Sequence, residues 1–110
     1  MSETLPGFAA IQDMHEACCL LREGGRPVVL LPAFAFRAEG RDERMDLLLH
    51  PSHHSGYATR LFFERIVVGR GVNWSQHRVV DRQWWAPSWR DVPETMAWPA
   101  ILCAHLRAVE

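Results

Sequence analysis

The chain has 110 residues, a length that suits one domain and leaves little room for two independent cores. Its apolar fraction of 48% and its charged fraction of 23% are ordinary for a globular protein and argue against a disordered, collagen-like or coiled-coil chain. The formal net charge of −1 argues against a protein that binds nucleic acid or an anionic membrane surface, since both kinds are usually basic.

The sequence also bears on where the protein is located and on which chemistry its side chains can perform. No apolar run approaches the ~18–20 residues of a membrane span. Residues 1–7 lack the basic and apolar stretches of a signal peptide, so we expect a cytoplasmic protein. All 12 basic residues are arginine, which leaves no lysine amine for Schiff-base chemistry or for accepting an acyl group. Nothing in the sequence indicates a cofactor.

The N-terminal part of the chain predicts a β-hairpin. Two apolar runs, residues 15–22 (HEACCLLR) and 28–36 (VVLLPAFAF), are joined by a turn that contains Gly24-Gly25. Pro32, inside the second run, indicates a bulge or an edge position, because proline cannot donate to the ladder of a central strand. A short helix around residues 9–15 is an option before the first strand.

Two further strands are predicted after the hairpin. Residues 44–50 (RMDLLLH) alternate with a period of two, which places three apolar side chains on one face: Met45, Leu47 and Leu49. A turn over residues 51–56 leads to a fourth strand over residues 58–64 (ATRLFFE), with an extension through residues 66–68 as an option.

The C-terminal part combines an irregular segment with a helix. Residues 69–91 have no clean period and carry four of the five tryptophans: Trp74, Trp84, Trp85 and Trp89. A connection of this length is uncommon and is usually functional. Helical spacing returns near Trp98, with Pro99 in the first turn and an apolar stripe of Leu102, Leu106 and Val109.

The order of these elements predicts one α+β domain over residues 1–110. It consists of a four-stranded antiparallel meander, a long Trp-rich crossing segment, and a C-terminal helix packed on the sheet.

The histidines offer one chemical hypothesis. His50, His53 and His54 lie within five residues, and with His77 they supply enough imidazoles for a hydrolytic zinc site. Their spacing in a proline-containing turn does not match a defined ligand set. We therefore interpret them as a polar turn whose histidines face water, and we assign no metal residues.

The three cysteines predict neither a disulfide framework nor a redox motif. Their number is odd, and no Cys-x-x-Cys is present. Cys18 and Cys19 alternate on the first strand, so at least one should point inward, and Cys103 lies near the apolar stripe of the last helix. We interpret all three as small hydrophobic residues.

The most unusual feature is the tryptophan-rich segment. Ser75 and His77 are two residues apart, so in extended backbone they share a face and can form a hydroxyl–imidazole contact. These two are our candidate catalytic residues. The tryptophans either wedge a long loop onto the sheet or form a partner surface, since tryptophan is common at interface hot spots. Base stacking is the weaker option, because positive charge is missing.

Several short motifs look like those of a known family. Residues 46–49 (DLLL), Pro51 and Gly56-Tyr57 look like its third strand and its Leu-Pro-Pro-Gly-Tyr-Pro turn. Residues 74–77 (WSQH) resemble its Trp-Ser-Arg-His, residues 85–87 (WAP) its Trp-x-Pro, and His105-Leu106 a similar pair in its final helix. Over residues 28–109 the chain thus resembles the ubiquitin-conjugating-enzyme (UBC-like) fold. It is most similar to the prokaryotic families encoded beside ubiquitin-like, activating-enzyme and JAB-peptidase genes.

The chain departs from that family at the thioester cysteine. His50-Pro51-Ser52 echoes the His-Pro-Asn that precedes this cysteine in eukaryotic enzymes, yet no cysteine lies between Pro51 and Ala100. Thr59 or Arg60 falls near the expected place instead. The cysteines present are predicted on the first strand and the last helix, which are the wrong elements for a thioester relay.

The resemblance implies a conjugating-enzyme-like component of a bacterial ubiquitin-like protein modification system. Its partners would be a ubiquitin-like protein and its activating enzyme. The chain would act either as a non-catalytic adaptor or as a hydroxyl-based acyl carrier with Ser75 activated by His77, and four tryptophans would bind the partner: Trp74, Trp84, Trp85 and Trp89. Two alternatives stay open: a small metal-dependent hydrolase that uses the histidines, and a plain interaction module with a Trp-lined patch.

Overall fold

The computed structural model describes residues 5–54, 56–67 and 73–110. Within these ranges an α+β fold is formed, with two α-helices and one antiparallel sheet of six strands in the order β1-β2-β3-β4-β6-β5. The elements are α1 (Pro6–Met14), β1 (Cys19–Glu23), β2 (Arg26–Ala38), β3 (Arg41–His50), β4 (Arg60–Phe63), β5 (Trp74–Val79), β6 (Arg82–Pro87), α2 (Trp98–Leu106) and a 3₁₀-helix (Arg107–Val109).

The predicted α+β class is confirmed, and the predicted meander is part of a larger sheet. Strands β1 to β4 are consecutive neighbours, as expected, but two further strands extend the sheet beyond β4. Both helices have nine residues, and no helix in the described part of the chain is long and apolar enough to cross a membrane.

The N-terminal hairpin turns at the predicted glycines. Glu23 pairs with Arg26, and Gly24 and Gly25 have φ values of 58° and 80°, the left-handed conformation that a two-residue turn of this kind requires. The first strand begins later than predicted, because a helix and a turn precede it. Helix α1 begins at Pro6, which suits a first helical turn, and it ends at Met14.

Pro32 lies at a β-bulge in an internal strand. The register between β2 and β3 shifts between Leu31 and Phe34, and Ala33 has a φ of 48°. The side chain of Asp46 stabilises the bulge: its Oδ1 accepts the Ala33 N–H at 2.8 Å and its Oδ2 accepts from Arg82 at 2.9 Å. The bulge predicted from Pro32 is therefore confirmed. The other option, an edge position, also holds locally, because the pairing of β1 with β2 ends at Leu30 and does not reach Pro32.

Both faces of the sheet are covered by apolar side chains. On one face, here called the helix face, strand residues pack against α1 and α2; the members of this core include Ile11, Met45, Leu47, Leu49, Leu61, Phe63, Ile101 and Leu102. On the second face a smaller core contains Val28, Leu48, Phe62, Val79, Trp84 and Ala86. The predicted common face of Met45, Leu47 and Leu49 is confirmed, and so is a C-terminal helix that begins at Trp98 and packs on the sheet.

The segment predicted to be irregular contains a hairpin, which corrects the sequence interpretation. Strands β5 and β6 pair from Trp74↔Pro87 to Val79↔Arg82 and leave a two-residue turn of Val80 and Asp81. Both turn residues have positive φ, 47° and 59°, although neither is glycine or asparagine. The turn therefore carries no sequence signal. The start of the segment, residues 69–72, and the end of the optional fourth-strand extension, residue 68, lie outside the described residues.

Candidate active site

Strand β5 brings Ser75 and His77 together on the second face of the sheet. Ser75 Oγ lies 2.8 Å from His77 Nε2, and both side chains are partly buried. The other acceptor near Ser75 Oγ is the Ala86 carbonyl oxygen at 3.5 Å, beyond the usual range of an O–H···O bond. When Nε2 is unprotonated, the serine hydroxyl therefore donates to the imidazole. This is the contact that an activated serine nucleophile makes with its general base.

The surroundings of His77 favour the neutral ring. Burial lowers the pKa of His77 below its ordinary value, and the positive charge of Arg60 lowers it further. Phe62 and His54 pack edge-on against the ring, at centroid distances of 5.6 Å and 5.4 Å. In the described part of the chain no carboxylate hydrogen-bonds this imidazole, so the pair is a dyad and not a triad.

Two further histidines complete a cluster around Phe62. His50 is 2% exposed, and its Nδ1 donates to the Ser52 carbonyl oxygen at 2.8 Å. The ring of His54 lies 5.0 Å from that of His50 and 5.2 Å from Phe62. The prediction that these histidines face water is wrong for His50 and only partly right for His54, whereas His53 is exposed.

The local backbone explains why this turn folds inward. The His54 N–H donates to the Tyr57 carbonyl at 2.8 Å, and the Tyr57 N–H returns a bond of 3.0 Å to His54. The pKa of His54 falls to about 4, chiefly because the ring is buried and then because His50 and His77 are close. A neutral cluster at pH 7 follows from this.

A metal centre finds no support in this cluster. Among residues 5–54, 56–67 and 73–110, no group of three His, Cys, Asp or Glu side chains has a geometry that could hold a metal ion. One ring nitrogen of His50 is already committed to Ser52, and Nε2 of His77 to Ser75.

A second hydroxyl–imidazole pair lies on the helix face and differs in chemistry. Thr59 Oγ1 lies 2.8 Å from His105 Nε2 and also 2.8 Å from the Val92 carbonyl oxygen. Because a carbonyl only accepts, the single hydroxyl proton of Thr59 goes to Val92, and His105 Nε2 must be the donor to Thr59. This imidazole cannot act as a base toward Thr59. The pair is a buried link between the start of β4 and helix α2.

Arg60 is the residue whose importance the sequence did not reveal. It is 3% exposed, and its charge lowers the pKa of three histidines: His54, His77 and His105. Its guanidinium lies 4.0 Å from the centroid of the Tyr57 ring, and Arg90 lies 4.8 Å from the same centroid. The sequence offered one indication that this position matters: Arg60 falls near the position that the thioester cysteine has in the conjugating-enzyme family that the chain resembles.

The tryptophans divide between core and surface. Trp84 is completely buried and its Nε1 donates to the Val79 carbonyl at 3.1 Å, so its predicted partner-binding role is corrected to a core role. Trp74 packs edge-on against Phe63 on the helix face, with centroids 5.3 Å apart. Trp85 and Trp89 are partly buried and keep some surface for a partner.

The cysteines follow the prediction in part. All three thiols are free, and Cys18 is buried. Cys19 and Cys103 are exposed, so the interpretation of Cys103 as a buried hydrophobic residue is wrong: it projects from the outer side of α2. None of the three lies on β3, β4, β5 or β6, where the dyad and its neighbours are.

Comparison with protein-family models, with curated proteins and with solved structures gives no significant match for this chain.

Proposed function

We propose that the chain is a conjugating-enzyme-like component of a ubiquitin-like protein modification system, with Ser75 as the acyl acceptor in place of a cysteine. The observation that carries this proposal is the 2.8 Å contact between Ser75 Oγ and His77 Nε2. The short motifs shared with prokaryotic conjugating-enzyme-like families support the choice of substrate class.

The proposed step is a transfer from thioester to oxyester. Ser75 Oγ forms a bond to the carbonyl carbon at the C-terminus of the ubiquitin-like protein, and the C–S bond to the cysteine of the activating enzyme breaks. His77 Nε2 takes the hydroxyl proton and returns it to the departing thiolate. The lowered pKa of His77 supports this role, because the base must be neutral before it can accept the proton.

Reconstitution tests the proposal. The chain is mixed with ATP and with the ubiquitin-like protein and activating enzyme encoded by neighbouring genes, and its intact mass is measured. We expect a covalent adduct that alkaline hydroxylamine removes and that a thiol reductant leaves in place, as an oxyester requires. Ser75→Ala should abolish the adduct, and His77→Gln should slow its formation by about 10²-fold or more, the usual contribution of a general base.

Two controls locate the acceptor. Thr95→Ala removes an exposed hydroxyl outside the dyad, and Cys19→Ala/Cys103→Ala removes both exposed thiols without adding a hydroxyl; both variants should form the adduct normally. An adduct that persists in Ser75→Ala contradicts the proposed acceptor. Binding of the ubiquitin-like protein without any adduct favours the non-catalytic adaptor, which retains the same partner but not the chemistry.

A further inference from the structure

A buried arginine without a carboxylate partner lies beside the histidine cluster. Arg60 is 3% exposed, and the polar contact of its guanidinium is a long bond of 3.4 Å from Nη2 to the Pro87 carbonyl oxygen. In the described part of the chain no carboxylate lies within ion-pair distance of it. A guanidinium in a buried place is costly unless an opposite charge compensates it.

A second arginine increases this local excess of positive charge. The guanidinium groups of Arg60 and Arg90 both lie over the aromatic ring of Tyr57, at 4.0 Å and 4.8 Å from the ring centroid. The ring attracts both cations but neutralises neither. The described ion pairs of the chain do not include Arg90 either, and this side chain is exposed to solvent. An anion bound here would relieve the repulsion between the two guanidinium groups.

A cavity of about 440 Å³ opens beside Tyr57 and Arg90. Its wall includes Tyr57 and Arg90, the apolar side chains of Trp89, Val92 and Pro93, and one carboxylate, Asp91. The volume lies in the range of sites for organic ligands and exceeds what a bare inorganic ion fills. The combination of a cationic end with an aromatic and aliphatic wall suits a molecule that has one anionic group and a short apolar body.

We propose that this cavity binds an organic carboxylate, with its carboxylate held by Arg90 beside Tyr57 and its apolar body against Trp89. Arg60 does not line the cavity; it acts through its position over the Tyr57 ring as a fixed, poorly solvated positive charge. Asp91 lies on the same wall and repels an anion, but two arginines outweigh one carboxylate. The site uses neither Ser75 nor His77, so it stands independently of the proposed acyl transfer.

Binding of a matched pair of small probes tests the proposal. N-acetyl-dialanine carries a free carboxylate, and its C-terminal amide has the same body without the charge. In an NMR titration of the ¹⁵N-labelled protein, we expect the acid to cause saturable chemical-shift changes at residues of the cavity wall. The amide should bind more weakly than the acid by about tenfold or more. Inorganic phosphate should bind more weakly than the dipeptide, because it cannot use the apolar wall.

Two substitutions should change binding of an anion in opposite directions, and a third is their control. Arg90→Gln should weaken binding of N-acetyl-dialanine by about tenfold or more, whereas Asp91→Asn should strengthen it. Asparagine tolerates the positive φ of 68° at position 91, so this variant keeps the backbone conformation. Arg78→Gln, an exposed arginine on β5, is the matched control and should leave binding unchanged.

Several results would overturn the assignment. Equal binding of the acid and the amide, or tighter binding of phosphate than of the dipeptide, contradicts an organic carboxylate. Weaker binding of N-acetyl-dialanine in Asp91→Asn would contradict a bound carboxylate that Asp91 repels. Shifts centred on His50 and His77 would place the site elsewhere. Because Arg90 and Asp91 are exposed, these variants are informative even if a substitution of the buried Arg60 fails to fold.

Discussion

At the scale of single residues, burial decides what each imidazole can do. His105 is 2% exposed and its Nε2 is the donor to Thr59 Oγ1, which links α2 to β4. Burial, and then the charge of Arg60, lower the pKa of His105 to about 4. His77 is also kept neutral, but its Nε2 faces a hydroxyl that has no comparably short alternative acceptor. The same two residue types thus give a structural link on one face and a candidate nucleophile on the other.

The His105 environment predicts a stability that depends on pH. The imidazole takes up a proton near pH 6.5 in the unfolded chain but only near pH 4 in the folded chain. Its contribution is therefore complete above pH 6.5 and is lost as the pH falls from 6.5 toward 4. In that window His105 adds up to about 1.4 kcal/mol per pH unit to the slope of the unfolding free energy.

Urea unfolding between pH 7.5 and 4 measures this slope. His105→Gln should be less stable than the wild type at pH 7.5 and should show a shallower loss of stability toward acid. His53→Gln removes an exposed imidazole and should reproduce the wild-type slope. If His105→Gln and the wild type lose stability in parallel, the buried neutral state of this ring is contradicted.

At the scale of elements, the β5–β6 hairpin positions the candidate nucleophile. Its turn places Val80 and Asp81 in the left-handed conformation, which L-residues with a Cβ rarely adopt. Val80 packs against the second-face core, and its N–H donates to Glu23 Oε2 at 3.3 Å. Tertiary contacts therefore hold a turn that local preferences disfavour.

Asp81 gives a pair of substitutions with opposite signs. Asp81→Gly should raise the melting temperature by a few degrees, since glycine adopts a φ of 59° without steric cost and the exposed carboxylate makes no described contact. Asp81→Ala should lower stability by about 1 kcal/mol or less, because alanine keeps the steric cost of a Cβ at positive φ and adopts the left-handed region less readily than aspartate does. Thermal unfolding followed by circular dichroism measures both. A destabilised Asp81→Gly would show that the turn is not in this conformation.

A feature can be predicted from the sequence when residues that are neighbours in the chain determine it. The Gly24-Gly25 turn, the bulge at Pro32 and the start of α2 were predictable, because each follows from residues that are neighbours in the chain. The contact between Ser75 and His77 required only extended backbone between them. The β5–β6 hairpin was not predictable, since its turn lacks glycine and its strands carry tryptophans on both faces. The cluster of Arg60, Tyr57 and Arg90 depends on how two loops fold together at one end of the strands, which neighbouring residues in the chain do not determine.

At the scale of the whole molecule, the sheet has its structural core on one face and the candidate catalytic residues on the other. The helices and the larger core lie on one face, with the Thr59–His105 link between them. The opposite face carries the smaller core, the histidine cluster and the Ser75–His77 dyad. The cavity beside Tyr57 and Arg90 lies at the loops that follow β3 and β6. Two adjacent sites of different chemistry thus share the buried charge of Arg60.

In the proposed acyl transfer, His77 is a neutral base whose Nε2 accepts the proton of Ser75. Long-range ¹H–¹⁵N correlation spectra at pH 7, with signals assigned through His77→Gln, measure the protonation state of both ring nitrogens directly. We expect a neutral ring with the proton on Nδ1, a titration below pH 6.5, and a changed Nε2 shift in Ser75→Ala. A charged ring at pH 7, or a neutral ring with the proton on Nε2, would contradict it.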